Sequence, residues 1–90
     1  MITKEDILAK VKDVLRNELF FEEEIEAQTL VRDLGLDSIQ LMQLFVYLEE
    51  SFDFEFAYDS VFENLRGASV NEFVEVIYNS INKQQQEINS

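Results

Sequence analysis

Ninety residues, 47% apolar and 12% aromatic, suffice for one packed core and set aside a disordered chain. The absence of cysteine and histidine excludes disulfides and thiolate nucleophiles, and removes the commonest general base and the commonest metal ligand. Of the net charge of −12, the whole excess lies in residues 17–64, where thirteen acids meet one base, Arg32; such a field either serves solubility alone or, while repelling nucleic acid and anionic lipid, favours basic protein surfaces.

Two glycines and no proline leave little of the turn punctuation an all-β fold needs. The opening MITKEDILAK lacks the apolar core of a signal peptide, and no run approaches the roughly 20 apolar residues of a membrane span. A soluble, cytoplasmic monomer is expected.

Three segments share one start signal. Thr3 is an N-cap with Asp6 at the capping-box position and Ile2 placed to staple onto Ile7; Ile7, Leu8, Val11, Val14, Leu15 and Leu19 then recur at helical spacing. The first helix is expected near residues 3–19. A long connection, FFEEEIEAQTLVRDLGL, follows, in which Ile25, Leu30 and Leu34 are spaced as anchors and Gly35 marks a turn of positive φ.

In the second segment Asp37 caps, Gln40 answers three residues on, and Leu36 can staple onto Leu41, predicting a helix over 37–52. Leu41, Leu44, Phe45, Leu48 and Phe52 form its core stripe. Ile39, Met42 and Val46 make a second stripe on another side. Either the long connection and a short helix cover that stripe, or it awaits a partner. Met42 suits a surface that adapts to several partners.

An extended exit and a short helical turn near 59–65 come next, and Gly67 breaks the chain. Ser69 with Glu72 then opens a helix over 69–83, with Val70, Phe73, Val74, Ile77 and Ile81 inward. The expected fold is all-α: a small bundle of three main helices and one short helix with a long first loop, one domain over 1–83, and a polar tail over 84–90.

Ser38 is the one hydroxyl residue at the head of the second helix. At the first helical position its oxygen is expected in water, where a phosphate ester would meet unpaired N–H groups and the positive end of the helix dipole, though Asp37 adds a like charge. An isolated Asp-Ser pair is also simply a good helix start.

The pair is not isolated. The run LGLDSIQLMQLFVYLEESFDFEF resembles the signature of the acyl carrier protein family, and the likeness in pattern extends through TLVRDLGLDSI and ASVNEFVEVI over most of the chain. The resemblance implies a carrier, not an enzyme. Ser38 would receive 4′-phosphopantetheine from coenzyme A through a Mg²⁺-dependent phosphopantetheinyl transferase, with Asp37 helping to hold the transferase's metal. The arm's thiol would carry acyl or aminoacyl groups for loading enzymes and for downstream synthases or transferases with basic surfaces. Ile39, Gln40, Met42, Gln43, Val46, Glu49 and Asp59 would face those partners.

Gln40 and Gln43 stand where fatty-acid carriers usually place acids, and Phe45 and Tyr47 are bulkier than is common there. This departure points to a polyketide, nonribosomal-peptide or other specialised pathway, with fatty-acid synthesis as the alternative. Phe45, Phe52, Phe62 and Phe73 would crowd the interior against a long acyl chain. The rival from another class is an unmodified acidic interaction domain. A hydrolase or calcium site finds no supporting spacing.

Overall fold

Each of the three expected capping boxes closes, and together they set where the helices begin. In the computed structural model, which describes residues 2–88 and their side chains except those of 59, 62, 66 and 85–88, Thr3 Oγ1 accepts from the Asp6 N–H and Asp6 Oδ2 from the Thr3 N–H. Asp37 and Gln40 exchange the same pair of bonds, as do Ser69 and Glu72. The helices are α1 (Lys4–Asp13), α2 (Ser38–Phe52), α3 (Tyr58–Asn64) and α4 (Val70–Ile88). This is the small all-α bundle expected.

Apolar periodicity decides what each helix buries. α1 and the turn after it bury Ile7, Val11, Val14 and Leu15; α2 buries Leu44, Phe45 and Leu48; α4 buries Val70, Phe73, Val74, Ile77 and Ile81. Leu8, Leu19, Leu41 and Phe52 are half-buried at the edges of these stripes. Phe45 is the hub: its ring lies 4.8 Å from Phe56 and 5.8 Å from Phe73, close enough for tilted aromatic packing beyond simple area burial.

Three departures have local causes. The first helix does not stay α to residue 19; Val14–Glu18 forms a π-turn, with the Leu19 N–H on the Val14 carbonyl at 3.1 Å. In the long connection Ile25 and Leu34 are buried as anchors, but Val31 is buried and Leu30 only half-buried. The 3₁₀ turn Val31–Leu34 explains this, because residues three apart eclipse there. Gly35 closes that turn at φ 70°; a side chain there would meet no atom within 4 Å, so the torsion alone asks for glycine.

The third departure is the end of α4, which continues through Ile88 rather than ending near 83. Gln84 gives the first added turn a purpose. Its Oε1 accepts from the Glu55 N–H at 3.0 Å and its Nε2 donates to the Glu55 carbonyl at 2.8 Å. From the other side, Glu49 Oε2 accepts from the Phe56 N–H at 2.9 Å, and Glu49 Oε1 accepts from the Tyr58 hydroxyl. The extended exit from α2 is thus gripped by α2 and α4 together.

Candidate functional site: the open start of α2

The 3₁₀ turn and Gly35 bring the chain to Leu36, half-buried against the core, so Asp37 arrives extended with φ −80° and ψ 178°. That geometry aims its carboxylate back over the first turn, where Oδ1 accepts from the Gln40 N–H at 2.8 Å. The Leu41 N–H reaches the Asp37 carbonyl at 2.9 Å. Two N–H groups of the turn remain, those of Ser38 and Ile39, and among the described residues no acceptor meets either.

Ser38 is therefore exposed at the first position of α2, beside two unsatisfied donors and the positive end of a fifteen-residue helix. The setting fits a phosphate diester. The hydroxyl is open to an enzyme, two N–H groups are available to anionic oxygens, and Asp37 Oδ2 is left unbonded within the box.

The surplus stripe of α2 is uncovered. Ile39, Met42 and Val46 are 71%, 38% and 42% exposed, so neither the long connection nor α3 closes over them. Gln43 is exposed beside them, while Gln40 is half-buried and its side-chain Oε1 accepts from the Asp37 N–H at 3.1 Å. The structure thus brings Asp37, Ser38, Ile39, Met42, Gln43 and Val46 onto one open surface. Glu49 stands apart, since both its oxygens are engaged in holding the exit segment. The side chains of Asp59 and Phe62 lie outside the described residues.

Two further aromatic residues are exposed: Tyr47, which the sequence marked only for its bulk, and Phe20, which it did not single out. The Glu18 carboxylate near the Tyr47 hydroxyl raises its pKa. Phe20 is 78% exposed. The doublet Phe20-Phe21 was the available signal: adjacent residues in an irregular segment rarely share a direction, and only Phe21 packs against the core. Tyr58, by contrast, is committed inward; its bond to Glu49, with burial and the Glu49 charge, pushes its pKa up to about 12.

Among the described residues no group of three or more acids converges as a metal site, and no helix is long and apolar enough to cross a membrane. Phe45 and Phe73 are fully buried and occupy the bundle interior, whereas Phe52 is half-buried at its edge.

Comparison with known proteins agrees with this geometry. The family model for the phosphopantetheine attachment site matches residues 5–77, from the first turn of α1 to the middle of α4. No solved structure matches the chain. Members of that family carry covalently attached 4′-phosphopantetheine and are in general carriers that meet a phosphopantetheinyl transferase and partner enzymes. With most of its length matched and an accessible serine at the head of α2, this chain belongs to the phosphopantetheine-binding carrier-domain family.

Proposed function

We propose that Ser38 is the residue that receives the 4′-phosphopantetheine arm, and that the protein acts as an acyl or aminoacyl carrier rather than as an enzyme. The observation that supports this most is the open first turn of α2, where an exposed hydroxyl stands beside two donors that meet no acceptor among the described residues. When bound, the arm supplies a thiol that the cysteine-free chain lacks. The chain's own part is positional. The Ser38 and Ile39 N–H groups would be the donors available to the phosphate oxygens, favouring the anion by about 0.3–1 kcal/mol. Asp37 Oδ2, unbonded within the capping box, would help to hold the transferase's Mg²⁺, and the box keeps Asp37 at the start of the helix beside Ser38.

The test is a mass measurement. Coenzyme A, Mg²⁺ and a broad-specificity phosphopantetheinyl transferase should add about 340 Da, the mass of the arm, to the wild type and nothing to Ser38→Ala. An unmodified wild type, with the transferase active on a control, would favour an unmodified acidic interaction domain.

The exposed stripe of Ile39, Met42 and Val46, with Gln40 and Gln43 at its side, is the proposed docking face for loading and downstream enzymes. Glu49 and Asp59, partner-facing by the resemblance, would add acidic charge to the approach, Glu49 only by giving up its bonds to Phe56 and Tyr58. Met42→Glu should impair acyl transfer by partner enzymes while shifting stability by no more than about 0.5 kcal/mol, since the side chain is already wet. A large drop in melting temperature would instead place Met42 in the core.

The neutral pair Gln40 and Gln43 favours a polyketide, nonribosomal-peptide or other specialised pathway over fatty-acid synthesis. The double change Gln40→Glu with Gln43→Glu should improve loading by a fatty-acid synthesis enzyme, and glutamate at 40 can still close the capping box. No improvement would count against this assignment.

A further inference from the structure

Phe20 is held in a conformation that gains the isolated chain nothing. Among the described residues it is the most exposed large apolar side chain, and it sits at φ 59°, a left-handed backbone that a bulky side chain rarely adopts. Its outward direction is enforced. The π-turn fixes Leu19 through the Val14 carbonyl, and the Phe21 N–H bonds the Leu15 carbonyl at 2.8 Å. Both neighbours pack against the core, so the ring of Phe20 cannot turn inward without pulling one of them out.

The ring also has a defined neighbourhood. It lines an open cleft of about 420 Å³ with Glu22, Glu23, Asp33, Gly35 and Gln40. Leu36 also lines the cleft, and the Gln40 side chain holds the Asp37 N–H at 3.1 Å, so the cleft reaches the cap of the helix that Ser38 begins. The charge of the cleft is contributed by the first connection, not by α2, whose Gln40 and Gln43 are neutral. Arg32 lies 4.0 Å from Asp33 and offsets it, which leaves Glu22 and Glu23 as the uncompensated acids.

We infer that Phe20, flanked by Glu22 and Glu23, is a second docking element for the enzyme that modifies Ser38, entering an apolar pocket on that enzyme bordered by lysine or arginine. The inference rests on the carrier reading of Ser38 and adds the segment outside α2 that completes the contact. An exposed aromatic residue with fixed direction suits such a pocket because little conformational freedom is lost on binding. The adjacent acids steer a basic partner and lift the rate of encounter.

The experiment measures arm transfer to the full-length apo-protein, with coenzyme A, Mg²⁺ and a broad-specificity phosphopantetheinyl transferase, over a range of protein and salt concentrations. Phe20→Ser should raise KM about fivefold or more with kcat little changed and no loss of melting temperature. Phe20→Gly, which relieves the positive φ, should show the same KM and melt at or above the wild-type temperature. Glu22→Gln with Glu23→Gln should raise KM at low salt and flatten its salt dependence. Wild-type kinetics in Phe20→Ser, or a lowered melting temperature in Phe20→Gly, would overturn the inference and leave Ser38 as the arm's site. Failure of the wild type to accept the arm would overturn the carrier reading and this inference together.

Discussion

α2 and α4 begin with the same device and end up in opposite conditions. Both starts carry a closed capping box, Asp37 with Gln40 and Ser69 with Glu72. At α4 the two N–H groups the box leaves over are taken by the first connection: Val70 donates to the Thr29 carbonyl at 2.7 Å and Asn71 to the Ala27 carbonyl at 2.9 Å. The Val31 N–H answers to the Ala68 carbonyl at 2.9 Å, and Leu30 and Ser69 form a short antiparallel bridge. At α2 the equivalent groups of Ser38 and Ile39 meet no acceptor among the described residues. A cap therefore does not make a site. What distinguishes α2 is that the chain seals the start of α4 with its own carbonyls, while among the described residues none covers the start of α2.

The largest expected consequence is in amide exchange. The N–H groups of Val70 and Asn71 should exchange on the order of 100-fold more slowly than those of Ser38 and Ile39, measured by NMR on the apo-protein. Equal rates at the two starts would remove the comparison. After arm attachment, the Ser38 and Ile39 signals should shift while those of Val70 and Asn71 stay in place.

A smaller effect separates the two caps by function. Ser69→Ala and Asp37→Ala each lose an N-cap, and each should cost about 1 kcal/mol in thermal or denaturant unfolding. Only Asp37→Ala should also slow arm transfer, because only that cap stands beside the hydroxyl proposed to receive the arm. Equal slowing in both variants would mean that stability, not placement, limits the reaction.

How far the residues alone reveal this follows the same division. Helix starts, stripes and the inward faces of α1 and α4 are legible because caps and 3.6-residue periodicity are local signals. Gly35 is legible for the same reason, as one torsion at one position. The sealing of α4 is not, since carbonyls at Ala27 and Thr29 carry no side-chain signature and reach across more than forty residues of chain. The roles of Glu49 and Gln84 were hidden in the same way; each looks like a surface polar residue until the exit segment is laid beside it. For the stripe of Ile39, Met42 and Val46, sequence poses the right alternatives but cannot choose, because covering depends on where the long connection runs. Val31 replaced Leu30 as an anchor for want of one detail, the phase of a 3₁₀ turn.

The central claim is that an unsealed helix start makes one serine of this chain the arm's attachment point. Its most direct test is to load the apo-protein to completion, digest it, and locate the added group by fragmentation mass spectrometry. The account places the whole addition on the peptide bearing Ser38 and none on that bearing Ser69, although both serines stand at capped helix starts. A group found on Ser69, on Ser51 or on Ser60, or a chain that takes up no arm while a control carrier does, would contradict it.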